Sequence, residues 1–169
     1  MDQVKQLTTS IRRWMVFFIA ALVLSGITAF AIESELAWLT QILPPQNGLL
    51  HHWLQTVYTA VKSTNEQYPF ISYGSDWLAF AHLVIAIAFV GPLLDPVRNK
   101  WIIRFGQIAC IAIFPLAFIA GPIRQIPLFW QLIDCSFGVI GFIPLTVCYH
   151  KINKLERLTL KSPVTCKPA

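Results

Sequence analysis

Four long apolar runs dominate the pattern of hydrophobic and polar positions along the chain. A spanning helix needs about 20 mostly apolar residues, because the hydrocarbon core is about 30 Å thick and a helix rises about 1.5 Å per residue. The runs lie at residues 14–32, 77–94, 102–123 and 126–149. They predict an all-α integral membrane bundle of four transmembrane helices.

Residues 33–76 form a long connection between the first two runs and contain a second kind of element. Pro44-Pro45 and Asn47-Gly48 predict a break in the chain, since these residue types favour turns. Apolar residues then recur at helical spacing: Leu50, Trp53, Leu54, Val57, Tyr58 and Val61. Polar residues fall on the other face: His51, His52, Gln55, Thr59 and Lys62. The pattern predicts an extracytoplasmic amphipathic helix on the membrane surface or capping the bundle, with residues 36–43 as a shorter piece of the same kind.

Composition supports a membrane location. The 169 residues are 56% apolar and 12% charged, whereas soluble domains are about 45–50% apolar and about one quarter charged. These values exclude a soluble globular enzyme, a disordered chain and a disulfide scaffold. The length predicts a single membrane domain over residues 1–150, followed by a basic cytoplasmic tail over residues 151–169.

Lysine and arginine residues predict the orientation of the helices. Eleven of the thirteen flank the runs on one side: Lys5, Arg12, Arg13, Arg98, Lys100, Arg104, Lys151, Lys154, Arg157, Lys161 and Lys167. The opposite side has Lys62 and Arg124. Because positive residues collect in cytoplasmic loops, we expect a multi-pass protein of the cell inner membrane with both termini cytoplasmic. The net charge of +5 forms no separate basic face, so no nucleic-acid partner is predicted.

The first apolar run has a second interpretation. Arg12-Arg13, the run itself and Ala29-Phe30-Ala31 resemble a cleavable signal peptide. The run is long for a signal peptide, so an uncleaved transmembrane helix is the preferred interpretation.

Two ionisable residues inside the runs are the strongest candidates for chemistry. An aspartate within a span costs about 2.5–3.5 kcal/mol on insertion scales, so Asp134 should face protein or water and have a partner. Asp134 is predicted about 10 Å, and His82 about 7–8 Å, below the outer end of its own helix. Both helices start at the outer surface, which predicts the two side chains in one layer.

The residues around this layer predict an outward-facing polar pocket. His82 and Asp134 would form its floor. The other candidate ligand contacts surround the rim: Gln131, Arg124, Asp76, Glu33 and Tyr73. The helix face that carries Asp134 also carries Gly138 and Gly141, small residues that allow helices to approach closely, so this face is predicted to point inward.

Three roles for the His82 and Asp134 pair remain open from the sequence: a structural hydrogen bond, a ligand or proton site, and an acid/base or metal site. No catalytic residue, metal ligand or cofactor is assigned. Haem is not predicted, because His82 near the outer face and His150 at the inner end cannot hold one haem between them. Cysteines within the runs are predicted to be small packing residues: Cys110, Cys135 and Cys148.

A second cluster lies in the cytoplasmic turn Asp95-Pro96-Val97-Arg98-Asn99, with Arg104 on the next helix. Arg98 and Arg104 could contact a lipid phosphate. The favoured interpretation is that these residues form the hydrogen bonds of a tight turn and that the basic ones mark the cytoplasmic side of the membrane.

Several short motifs resemble a family of small bacterial four-span integral membrane proteins that has no established activity. The motifs are Tyr68-Pro69-Phe70, Tyr73-Gly74, Asp76-Trp77-Leu78-Ala79-Phe80-Ala81-His82, Gly91-Pro92, Asp95-Pro96-Val97-Arg98-Asn99, Gly121-Pro122-Ile123-Arg124 and Leu132-Ile133-Asp134-Cys135-Ser136-Phe137-Gly138. The resemblance covers residues 50–150 and implies a membrane protein, but it assigns no functional residue.

These observations predict a ligand- or lipid-binding protein, or an accessory or assembly subunit, with an outward-facing polar pocket. One alternative is a membrane enzyme that acts on a lipid or isoprenoid substrate through the pair of His82 and Asp134. A second alternative is an oligomeric transporter, because four spans are few for an alternating-access protomer. The expected partners are the lipid bilayer, a lipid or small-molecule ligand, and a larger membrane complex or a homo-oligomer.

Overall fold

The computed structural model describes residues 2–43 and 48–161, and this part of the chain is 91% helical with no strand. The helices are α1 Asp2–Phe30, α2 Ile32–Ile42, α3 Gly48–Gln67, α4 Tyr73–Ala88, α5 Val90–Leu94, α6 Lys100–Ile123 and α7 Leu128–Lys161, with a 3-10 helix at Pro69–Ile71. Most of the break predicted at residues 44–48 lies outside the described residues.

Within the described residues, four helical stretches are long and apolar enough to cross a membrane: Asp2–Phe30, Pro69–Leu94, Lys100–Ile123 and Leu128–Leu160. Only 17–28% of their most apolar windows is buried inside the protein. Helices that expose so much apolar surface need lipid rather than water around them. The predicted fold class, an all-α membrane bundle with four transmembrane helices, is therefore confirmed.

The helix ends differ from the apolar runs in three places. Helix α1 begins at Asp2 rather than at residue 14, and α7 continues to Lys161, so residues 151–161 of the predicted tail are helical. The second span is interrupted between Ala88 and Val90. Pro92 explains this interruption, because its ring has no N–H to bond the carbonyl of Ala88. Residues 162–169 of the tail lie outside the described part.

The chain forms two compact units, Met1–Ile19 with Ile87–Ala169, and Ala20–Ala86. We call them the α6–α7 unit and the α2–α4 unit after their main helices. In the α6–α7 unit the two long helices pack through small residues. A Cβ on Gly138 would lie 2.8 Å from the backbone oxygen of Cys110, and one on Gly141 would lie 3.1 Å from the Cys110 sulfur. The prediction that Gly138 and Gly141 face inward is confirmed.

The rest of this unit packs around Phe89 and the first half of α1. Phe89 is 1% exposed, and its ring centroid lies 4.7 Å from that of Phe18. Lys151 of α7 donates a hydrogen bond to the Ser10 hydroxyl of α1. The cysteines predicted to pack in the interior are buried and free: Cys110, Cys135 and Cys148.

In the α2–α4 unit, α2 packs against α3. In α3, Leu54 is buried while His52, Gln55 and Lys62 are exposed, which is the alternation that the amphipathic pattern predicts. Helix α2 corresponds to the shorter piece predicted at residues 36–43. The extracytoplasmic location of both helices stays a prediction.

Candidate functional site

The turn that joins α6 to α7 is a Schellman-type helix end with Gln125, rather than a glycine, at the left-handed position. Gln125 adopts a left-handed φ of 57°. The N–H of Gln125 bonds to the carbonyl of Pro122 at 3.1 Å, and the N–H of Ile126 bonds to the carbonyl of Gly121 at 2.9 Å. These two bonds satisfy carbonyls at the end of α6 and turn the chain directly into α7. The turn therefore fixes Arg124 beside the first residues of the next helix.

Gln131 is held under this turn. Its side chain is 5% exposed, and its Nε2 donates a 2.7 Å hydrogen bond to the carbonyl of Ile126. Gly121 makes room for it, since a Cβ there would lie 2.5 Å from Gln131 Cδ. One of the two N–H groups of Gln131 thus holds the turn, and its contact with a ligand stays a prediction.

A cavity of about 270 Å³ opens beside this turn in the α6–α7 unit. Its lining comprises Ile113, Leu116, Ala117, Ala120, Gly121, Arg124, Ile126, Gln131 and Asp134. The walls are apolar and small, and the polar groups come from three of the predicted site residues: Arg124, Gln131 and Asp134. We call this space the Arg124–Asp134 cavity.

The two charged groups of this cavity are not paired with each other. Asp134 is half-buried and Arg124 is exposed. Across residues 2–43 and 48–161 the one ion pair joins Lys100 to Glu156, and no hydrogen bond reaches the Asp134 carboxylate. A carboxylate inside a span should have a partner, so an unpaired one in an open cavity is the feature that most needs a chemical explanation.

The α2–α4 unit contains the other four predicted pocket residues, and two of them are engaged locally. His82 Nδ1 lies 2.8 Å from the Leu78 carbonyl one turn earlier in α4, which leaves Nε2 free of that bond. Glu33 accepts a hydrogen bond from Asn65 Nδ2, and Ser72 donates to Asn65 Oδ1. Asn65 of α3 thus links Glu33 of α2 to Ser72 in the turn before α4.

Tyr73 and Asp76 line a second cavity, of about 310 Å³. Its other lining residues are Phe30, Trp77 and Phe80. Gly26 of α1 permits this arrangement, because a Cβ there would lie 3.0 Å from the backbone oxygen of Ala79 in α4. Phe30, one turn after Gly26, then reaches the start of α4. Neither Phe30 nor Phe80 was predicted to line a cavity. Phe80 lies three residues after Trp77 on the same face of α4, a spacing that could have indicated it, whereas no spacing within one segment connects Phe30 to α4.

The structure therefore groups Arg124 with Gln131 and Asp134, and separately groups Tyr73 with Asp76. His82 and Asp134 belong to different compact units. Their predicted meeting at one depth, and the enzyme alternative that depends on it, stay predictions.

The turn at residues 95–99 has the local hydrogen bonds that the favoured interpretation predicts, while its cytoplasmic location stays a prediction. The Asp95 carboxylate accepts a 3.1 Å hydrogen bond from the backbone N–H of Arg98. Asn99 Nδ2 donates to the carbonyls of Gly91 and Asp95 at 3.2 Å and 2.9 Å. Arg104 lies over the Tyr149 ring, with 5.4 Å between its guanidinium carbon and the ring centroid. A lipid-phosphate contact by Arg98 and Arg104 stays a prediction.

Four long apolar helices that expose their surfaces define a multi-pass helical membrane protein. No protein-family model matches the chain, and no curated protein or solved structure is significantly similar to it. The resemblance to a bacterial four-span family stays a prediction. Within the described residues, no group of three or more His, Cys, Asp or Glu side chains is placed to hold a metal ion.

Proposed function

We propose that this protein binds a small polar ligand or a lipid headgroup in the Arg124–Asp134 cavity. The observation that carries the proposal is the unpaired Asp134 carboxylate, which shares an open cavity with the guanidinium of Arg124. Asp134 lies six residues into α7, about 9 Å along the helix axis from its start. A ligand that fits would carry an anionic group for Arg124 at the entrance and a hydrogen-bond donor or cation that reaches Asp134.

We propose further that the cavity opens to the outside of the inner membrane and that both termini are cytoplasmic. Eleven of thirteen Lys and Arg residues flank the opposite helix ends, and such residues favour the cytoplasmic side. An outward opening would make the site accessible to ligands or to lipid headgroups of the outer leaflet.

The first prediction compares the molecules that copurify with wild type and with Asp134→Asn. In mild detergent, native mass spectrometry should find a small molecule or lipid on wild type, and the variant should lose it. Asn keeps the shape of the side chain but removes the charge that an ammonium or hydroxyl donor would pair with. Arg124→Gln should weaken retention of the same species, because the anionic group of the ligand loses its positively charged partner at the entrance of the cavity.

Glu66→Gln is the matched control, since it removes one negative charge from an exposed residue outside the cavity lining. It should retain the ligand as wild type does. Equal retention by Asp134→Asn and by wild type would contradict the proposal. Wild type without any bound species, together with loss of a protein partner in Asp134→Asn, would replace it with an assembly role.

A further inference from the structure

We propose that the second cavity, in the α2–α4 unit, binds a quaternary ammonium group. We call it the aromatic cavity, and it is lined by Phe30, Tyr73, Asp76, Trp77 and Phe80. It uses neither Arg124 nor Asp134, so it stands apart from the function proposed above.

Helical spacing assembles one wall of this cavity. The four α4 residues occur at i, i+3, i+4 and i+7: Tyr73, Asp76, Trp77 and Phe80. That spacing places all four side chains on one face of a helix. Phe30 at the end of α1 completes the lining.

The rings in the α4 wall meet at nearly right angles. Tyr73 and Trp77 have centroids 6.0 Å apart and planes at 82°, and Trp77 and Phe80 have centroids 6.0 Å apart and planes at 88°. Neighbouring rings at nearly right angles present their faces in different directions, like the walls of a box. The negative face of an aromatic ring attracts a cation within about 6 Å of its centroid.

The carboxylate of Asp76 supplies a negative charge to this box. It is half-buried, and no hydrogen bond or ion pair within the described ranges engages its side chain. The rings remain open as well, with Trp77 58% and Phe80 51% exposed. Tyr and Trp are common at membrane interfaces because of their polar tips, but Phe30 and Phe80 have no such tip, and an interfacial belt does not require a carboxylate among the rings.

The chemistry of the lining selects the class of cation. A primary ammonium donates three hydrogen bonds and needs an acceptor for each, whereas most of this lining consists of rings that offer no acceptor oxygen: Phe30, Trp77 and Phe80. A quaternary ammonium donates none and is recognised by ring faces and charge alone. The volume of about 310 Å³ is at the small end for ligand cavities, which suits a headgroup-sized cation.

Choline provides the probe for the test, since the same group occurs as a free solute and as a lipid headgroup. Choline chloride is titrated into the full chain in a maltoside detergent, and binding is measured by calorimetry. The neutral isostere 3,3-dimethyl-1-butanol is titrated in parallel. Choline should bind and the isostere should not, because only the charge distinguishes them.

Trp77→Leu and Asp76→Asn should each weaken choline binding about tenfold, since each removes one attractive group from the cavity. Trp38→Leu is the matched control, because Trp38 is 62% exposed and does not line the cavity. It should bind choline as wild type does. Unchanged melting temperatures would show that all three variants fold.

The source of the ligand is distinguished by native mass spectrometry from bicelles that contain phosphatidylcholine or phosphatidylethanolamine. Selective retention of phosphatidylcholine, lost in Trp77→Leu, identifies a lipid headgroup, whereas binding of choline without that selectivity identifies a free solute. Equal binding of choline and its isostere, or wild-type binding in both cavity variants, would overturn the proposal. Asp134→Asn should leave choline binding unchanged. A failure of the choline proposal can therefore be distinguished from a failure of the proposal for the Arg124–Asp134 cavity.

Discussion

Phe89→Ala should destabilise the protein by about 1–3 kcal/mol in mild detergent, because it removes the largest fully buried side chain of the α6–α7 unit. The Phe89 ring lies against Phe18 and directly over Gly106, where a Cβ would lie 2.7 Å from Phe89 Cζ. In a water-soluble core the same change costs about 3–5 kcal/mol. The smaller value reflects the lipid reference state, since moving an apolar ring from lipid into protein gains little and only the packing is lost.

Thermal unfolding in one detergent is the measurement for this prediction, with Phe137→Ala as the control. Phe137 is 64% exposed on α7 and has little packing to lose. It should melt close to wild type. Equal melting temperatures for the two variants would mean that Phe89 does not hold the unit together.

Gly138→Ala should destabilise the pair of α6 and α7 by about 1–3 kcal/mol, the range found for overpacked cores. The new Cβ would lie 2.8 Å from the backbone oxygen of Cys110. A side chain could rotate away, but a helix carbonyl cannot move without separating the two helices. Because these helices also form the Arg124–Asp134 cavity, we expect ligand retention to fall together with stability.

Gly74→Ala is the control for this substitution. Gly74 lies in α4, and a Cβ there would meet no other atom within 4 Å. Alanine is a better helix former than glycine by about 1 kcal/mol, so this variant should melt at or above the wild-type temperature. A Gly138→Ala protein that melts as wild type does would contradict the close contact of α6 with α7.

The sequence predicts most of the fold because membrane spans and amphipathic faces have strong periodic signals. The extension of α7 beyond residue 149 was missed, since its buried Ile152 and Leu155 are separated by Asn153 and Lys154, which lower the local hydropathy. The interruption near Pro92 depends on one missing N–H, and the proline within the second apolar run indicates it.

The candidate site could be predicted in part, for a similar reason. Arg124, Gln131 and Asp134 come together because a single tight turn joins their helices, and a turn is a local feature. The partner of Glu33 was missed, because Asn65 comes near only when α2 packs against α3. Phe30 joins the aromatic cavity through the close contact of Gly26 with α4, which no local pattern encodes.

The most direct test of an outward-opening polar cavity is thiol labelling of Asp134→Cys in intact cells with a membrane-impermeant maleimide. The native cysteines of the spans are buried, and wild type gives the background. Leu132→Cys is the control, because Leu132 is 54% exposed on α7 but does not line the cavity. We expect Asp134→Cys to be labelled from outside and Leu132→Cys to stay at background. The maleimide reacts with the ionised thiol, and a thiol that faces lipid does not ionise. Labelling of Asp134→Cys at background, or only after the membrane is permeabilised, would contradict an outward-opening site.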